Sequence, residues 1–218
     1  VSITNTTALD ANTTTAVENT TETATFASLG LNPLILKAIE ESGYTVPTPI
    51  QAEAIPTVMA GHDLMASAQT GTGKTAAFIL PSLHRIATPS AVRSEGPRVL
   101  VLTPTRELAQ QVSDAATKYG KNMRLKVVSI LGGMPYPLQN KLLSSPVDIL
   151  VATPGRLIDH IERGRIDFSR LEILIMDEAD RMLDMGFIDD VERIAAATPE
   201  TRQTLLFSAT LDGVIGNL

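Results

Sequence analysis

Cysteine is absent from the 218 residues, so neither a disulfide nor a cysteine-ligated metal centre can exist in this sequence. Tryptophan is absent too, and aromatic residues make up only 4% against 44% hydrophobic. An interior drawn from that pool is aliphatic, which suits a parallel sheet covered by helices. No apolar run approaches the roughly 20 residues of a membrane-spanning helix. The first residues are polar and lack a basic, apolar start, so no secretory signal is visible. These absences fit a cytoplasmic protein with no membrane partner. Basic residues are also scarce: 18 Lys and Arg face 24 Asp and Glu, a net charge of −6. That balance argues against binding nucleic acid by bulk electrostatics, but leaves room for a local site of helix N-termini and a few arginines. His62, His84 and His160 do not cluster and are given no metal or catalytic role.

What is present divides into a tail and a patterned region. Residues 1–25 are rich in Thr and poor in large apolar side chains. Such a segment cannot bury enough surface to offset its ordering entropy, which predicts a disordered tail, with a short strand as the alternative. From Phe26 onward, helical and strand-like segments alternate. Leu31–Ser42 and Ile50–Ala60 read as helices, the second preceded by the Pro-Thr-Pro boundary at 47–49. Short apolar runs at Val99–Leu102, Val127–Leu131, Ile149–Val151, Ile173–Met176 and Thr204–Phe207 read as buried parallel strands. Helix patterns at Arg106–Tyr119, Pro137–Leu143, Gly155–Ile161 and Ile188–Ala197 lie between or beside them, and Thr88–Pro97 reads as an exposed loop. Repeated β-α units of this kind predict an α/β fold, a mostly parallel central sheet with helices on both faces and ligands at the carboxyl ends of the strands.

The run Ala68-Gln69-Thr70-Gly71-Thr72-Gly73-Lys74-Thr75 follows the apolar Leu64-Met65-Ala66 and opens into the helix-like Ala76-Ala77-Phe78-Ile79-Leu80. Strand, glycine-rich turn ending in Lys-Thr, then helix is the context of a nucleotide-phosphate loop. The N–H groups of such a turn and of the helix start form a positive concavity for phosphate oxygens. Lys74 would neutralise the outer phosphates and the Thr75 hydroxyl would hold Mg²⁺. Position 68 is Ala where the general pattern begins with Gly, and a flexible loop with a surface lysine is the alternative. A second signal is Ile173-Leu174-Ile175-Met176-Asp177-Glu178-Ala179-Asp180, an apolar strand ending in carboxylates. Asp177 could bind Mg²⁺ directly or through its waters, since that hard cation prefers oxygen ligands. Glu178 could orient the water that attacks a terminal phosphate. The alternative is that these acids merely begin the next helix.

With both signals in place, the chain resembles the first RecA-like domain of DEAD-box RNA helicases, from Phe26 to its last residue. The tetrad Asp177-Glu178-Ala179-Asp180 is that family's name motif, and Ala68 is its own phosphate-loop variant. Gly43-Tyr44-Thr45-Val46-Pro47-Thr48-Pro49-Ile50-Gln51, with Phe26 upstream, is similar to the family's Q motif. The resemblance implies an adenine site in which Gln51 pairs with the base edge, Tyr44 and Phe26 stack or pack against it, and Pro49 lies alongside. For Phe26, core packing is the stronger alternative. The resemblance also implies RNA contacts at Pro104-Thr105-Arg106, at Gly132-Gly133 and at Thr153-Pro154-Gly155-Arg156. Small residues, hydroxyls and helix-start N–H groups there would bind phosphates without reading bases, and the two arginines would add charge. Plain strand-to-helix turns are the bland reading of each. Ser208-Ala209-Thr210 is similar to the motif that links the two sites; its hydroxyls would bond Asp180, or it is only a strand-terminal turn.

The family works with a second RecA-like domain that supplies arginines across the cleft, and only eight residues follow Thr210. The expectation is therefore a monomeric ATP- and Mg²⁺-binding domain of a larger ATP-dependent RNA helicase, a cleft enzyme nearly inert alone. Single-stranded or duplex RNA, gripped through its backbone, and the second domain are the implied partners. A scaffold that uses ATP only as a latch, and a translocating or DNA-directed relative, are the competing classes. Gln51 together with the Asp-Glu-Ala-Asp tetrad weighs against the latter.

Overall fold

The computed structural model describes residues 24–211. A 3-10 turn at Phe26–Leu29 leads into α1 (Pro33–Glu41) and α2 (Pro49–Met59). There follow β1 (Leu64–Ser67), α3 (Lys74–Ile86), β2 (Val99–Leu102), α4 (Arg106–Tyr119) and β3 (Val127–Ile130). Next come α5 (Tyr136–Leu143), β4 (Ile149–Ala152) and α6 (Pro154–Glu162). Then β5 (Ile173–Asp177), α7 (Ala179–Asp184), α8 (Ile188–Ala196) and β6 (Gln203–Ser208) bring the described region to its end.

The strands pair in parallel throughout, in the order β1-β6-β5-β2-β4-β3. Strands covered on both faces lose the polar alternation of a half-exposed sheet. Accordingly β2, β4 and β5 are buried at every position, while the edge strands β1 and β3 alternate. Successive side chains serve two separate cores. Val99, Val101, Ile175 and Phe207 pack with Ile55, Phe78 and Val112 from α2, α3 and α4. Leu100, Leu102, Met176 and Leu206 pack with Leu157, Met182 and Ile194 from α6, α7 and α8. The expected α/β class, with a parallel sheet covered on both faces, is what the chain forms.

Departures from the sequence reading have local causes. Strand β6 begins at Gln203, a buried polar residue that a hydrophobic pattern passes over; its Nε2 donates to Val58 O at 2.9 Å and His62 O at 2.7 Å. The short helix α7 and the 3-10 turn are too brief to show a period. The end of the 88–97 loop is not exposed: Gly96 and Pro97 are buried, and the Ser94 hydroxyl donates to Asp167 Oδ2 at 2.9 Å. The Thr-rich tail lies outside the described residues except for Ala24 and Thr25, and Thr25 caps the 3-10 turn by accepting from the Ser28 N–H at 3.2 Å.

Register brings all six carboxyl ends to one edge. Ser67 pairs with Ser208, Phe207 with Asp177, and Leu102 with both Met176 and Ala152. Loops following β1, β6 and β5 occupy one half of that edge, and loops following β2, β4 and β3 the other. This carboxyl edge is where open parallel sheets bind ligands.

Candidate functional site

Residues 68–75 form the turn between β1 and α3. Ala68 closes the strand pairing through its N–H to Ser208 O at 2.9 Å, and its methyl is buried in the first core. The burial explains a side chain at this position. Gly73 is the N-cap of α3 with φ 81°, and a Cβ there would sit 2.5 Å from Gln51 Nε2, so only glycine fits. The Thr72 hydroxyl donates to Gln69 O at 2.7 Å and holds the turn from within.

Lys74, at the first position of α3, is buried, with Nζ 3.0 Å from Asp177 Oδ1 and 3.3 Å from Glu178 Oε1. Its reach is what joins the turn to the acids, because β6 stands between β1 and β5 in the sheet. The Thr70 hydroxyl donates to Glu178 Oε1 at 3.4 Å. Burial pushes the Asp177 carboxyl above its ordinary range against the pull of Lys74, and Glu178 adds to the rise. Glu178 adopts φ 54° and ψ 53°, and among the described residues no other non-glycine has positive φ. Asp177 Oδ1 is buried against the Lys74 ammonium, and Glu178 Oε2 is buried without a hydrogen-bond partner among the described residues. A cavity of about 190 Å³ gathers Thr70, Lys74, Thr75 and Asp177 with Leu108 and Gln111 of α4. The last two belong to the Pro104–Gln111 run that resembles an RNA-contact motif; they reach this cavity because α4 lies beside α3.

A cleft of about 310 Å³ adjoins it, sharing Gly71, Gly73 and Thr75 and bounded by Phe26, Tyr44, Gln51 and Tyr119. Phe26 is buried in the first core. Tyr44 is half exposed, and Lys118 Nζ lies 5.2 Å from its ring centroid. The Gln51 side chain accepts from the Thr48 N–H at 2.9 Å and donates to Gly73 O at 3.0 Å. Pro49 falls on the far side of Thr48, in a cavity of about 610 Å³ with Ala68, Gln69 and Thr72. Tyr119 and Lys118 escaped the sequence reading; the signal was an aromatic ending an amphipathic helix, which is ordinarily core.

On the other half of the edge, Pro104-Thr105-Arg106, Thr153–Arg156 and Gly132-Gly133 follow the adjacent strands β2, β4 and β3. Pro104 and Pro154 are buried and shape their turns, while Arg106, Gly133 and Gly155 are exposed. Thr105 caps α4, its hydroxyl accepting from the Leu108 N–H at 3.3 Å. Arg156 is turned inward rather than outward: Nη1 donates to Met134 O at 2.6 Å. Within the half formed after β1, β6 and β5, the Asp180 backbone N–H donates to Ser208 Oγ at 3.2 Å. The bond involves the Asp180 backbone, not its carboxylate, and Thr210 is exposed beyond the strand end.

A glycine-rich strand-to-helix turn, with its buried lysine set against two carboxylates at the end of an inner strand, defines a phosphate-loop α/β domain. The chain belongs to the DEAD/DEAH box helicase family, whose model matches residues 48–218. It is 52% identical over 196 residues to the ATP-dependent RNA helicase DeaD of Mycobacterium tuberculosis (strain ATCC 25618 / H37Rv), covering 89% of this chain and 34% of that protein. It is 51% identical over 192 residues to DeaD of Escherichia coli (strain K12), covering 88% of this chain and 30% of that protein. With the ATP-dependent RNA helicase SrmB of the same strain the identity is 50% over 189 residues, covering 87% and 43%. The chain thus spans well under two thirds of these relatives. Among the described residues no helix is long and apolar enough to cross a membrane.

Proposed function

We propose that this domain binds ATP with Mg²⁺ and grips RNA through its backbone, as one domain of an RNA-dependent ATPase that separates short duplexes. The observation that carries the reading is the shared wall of Gly71, Gly73 and Thr75 between the two clefts. One ligand with a flat base and a charged chain spans both. An amide has two N–H donors and two lone pairs. The internal bonds of Gln51 use one of each, so one donor and one acceptor remain for the complementary pair on the edge of adenine. Tyr44 offers the base a face.

The residues present fit Mg²⁺. Among the described residues no cluster of three or more His, Asp or Glu could hold a metal alone. The Thr75 hydroxyl and the Asp177 carboxylate, oxygen donors lining one cavity, suit a cation that keeps several waters and takes the rest of its shell from phosphate. When bound, the ion would neutralise charge on the outer phosphates. Lys74 would then share its ammonium between Asp177 and phosphate oxygens. Glu178, held toward the cavity by Thr70 and Lys74, would accept hydrogen bonds from the attacking water. The three loops after β2, β4 and β3 would meet successive RNA phosphates, with Arg106 supplying charge, which leaves base sequence unread.

The test is nucleotide affinity for ATP, ADP and GTP in wild type and Gln51→Ala. We expect GTP to bind wild type at least about tenfold more weakly, and Gln51→Ala to weaken ATP by about tenfold while narrowing that gap. Equal affinity of wild type for GTP and ATP would sink the adenine assignment.

A further inference from the structure

Under the Gly132-Gly133 turn lies a polar network enclosed between α5 and α6. Gln139 and His160 are both fully buried there. Gln139 Nε2 donates to Leu131 O at 2.9 Å, immediately before the glycines. Arg156 Nη1 donates to Met134 O at 2.6 Å, immediately after them, and to Gln139 Oε1 at 3.2 Å. The turn is therefore held at both shoulders, by one side chain from each helix. His160, one helical turn beyond Arg156, completes the network with Nε2 2.7 Å from Gln139 Oε1. Since the amide nitrogen of Gln139 is committed to Leu131 O, its oxygen accepts and His160 Nε2–H donates.

This leaves His160 Nδ1 bare, and that atom is buried without a hydrogen-bond partner among the described residues. Burial, with Arg165, Arg156 and Arg163 nearby and only Asp159 opposing them, holds the imidazole below its ordinary value, so it stays neutral. The Arg156 guanidinium lies 4.1 Å from the Tyr136 ring centroid, and the Tyr136 hydroxyl donates to Asp159 Oδ2 at 2.6 Å. From the third loop, Arg106 closes over the same turn: a Cβ at Gly133 would come within 3.1 Å of its Nη1. All three loops of this half of the edge thus meet at two glycines that have no side chains of their own to fix them.

We propose that Gln139, Arg156 and His160 are positioning residues for RNA, holding the Gly132-Gly133 turn and the start of α6 in one register so that their N–H groups meet successive phosphates. The inference rests on the RNA reading of these loops. None of the three need touch RNA. His160 acts through Gln139, and Arg156 through its two carbonyl-side bonds rather than through its charge.

The experiment uses the full chain, a short fluorescein-labelled oligouridine for RNA affinity, and a fluorescent ADP analogue for the nucleotide site. His160→Leu should weaken RNA binding by about tenfold and leave nucleotide affinity unchanged, because its bond is lost from a buried acceptor. His160→Gln, whose amide can donate to the same oxygen, should recover most of the loss. Arg156→Lys keeps the charge, but its nitrogen sits one bond nearer the backbone than the Nη1 that donates to both Met134 O and Gln139 Oε1, and it should weaken RNA binding with nucleotide affinity intact. RNA affinity at the wild-type level in both His160→Leu and Arg156→Lys overturns the proposal, as does a parallel loss of RNA and nucleotide binding. If His160→Leu does not fold, Arg156→Lys alone decides. Wild type failing to bind the oligouridine overturns the RNA reading itself, a result distinct from unaffected variants.

Discussion

Glu178 carries two costs in one residue. Its left-handed backbone is disfavoured by about 1–2 kcal/mol for an L side chain. Its carboxylate is also crowded against Asp177, whose pKa it helps to raise. Local strain of this kind persists where surrounding structure enforces it and function uses it. Two substitutions separate the roles. Glu178→Gln keeps the backbone and removes the water-orienting charge; turnover of the intact enzyme should fall by at least about 100-fold with ATP affinity nearly unchanged. No effect on turnover would instead favour a nucleotide-operated latch. Glu178→Gly should also abolish turnover, yet raise the melting temperature of the nucleotide-free domain by about 2–4 °C, the shift of roughly 1 kcal/mol in a chain of this size. A lower melting temperature would show that the ion pair to Lys74 outweighs the strain. Lys74, Asp177 and Glu178 were legible in the sequence because each ends or begins an element whose apolar pattern is local. The tie from Gln51 to Gly73 was not: it spans 22 residues and depends on how α2 lies against the turn.

At the scale of elements, α6 shows what pattern reading captures and what it loses. Its limits were nearly right, since Leu157 and Ile158 face the core and Pro154 sits at the first turn. Its polar residues were not understood. Arg156 reads as a charge for the RNA contact and His160 as a residue without a role; both belong to a network whose other half is on α5. No periodicity reveals a partner on another helix. The network has a pH signature. In the unfolded chain His160 takes up its proton near pH 6.5. In the fold, burial and then Arg165, Arg156 and Arg163 depress that value, with Asp159 the one opposing charge. Between the two values the unfolded chain holds a proton that the native one lacks, so stability rises with pH across this window. The contribution is complete above about pH 6.5 and is lost as pH falls through the folded value. Urea midpoints measured from about pH 7 down to about pH 5 should therefore drop more steeply in wild type than in His160→Gln. Parallel curves would mean that the imidazole titrates normally.

On the scale of the whole molecule, one sheet edge holds two halves that meet between β5 and β2. The end of β6 is tied to both sides of the nucleotide half, by Ser208 O to the Ala68 N–H and by Ser208 Oγ to the Asp180 N–H. The phosphate cavity itself is poor in positive charge. Among its lining residues Lys74 is the one cation, and it is already paired with Asp177 and Glu178. Phosphoryl transfer is catalysed mainly by positioning and by neutralising charge that spreads over the transferred group. One shared lysine supplies little of that. An arginine delivered from another domain is worth about 10³–10⁵ in rate in comparable enzymes. The 218 residues alone should therefore bind ATP, discriminate against GTP, and hydrolyse ATP only marginally, with or without RNA. Supplying a second RecA-like domain, covalently or as a separate polypeptide, should raise RNA-stimulated turnover by orders of magnitude at little change in nucleotide affinity. Single-turnover hydrolysis measured alongside nucleotide binding distinguishes the cases. Strong RNA-stimulated hydrolysis by the isolated chain would mean that its own edge completes the charge balance, and that the cleft needs no arginine from across it.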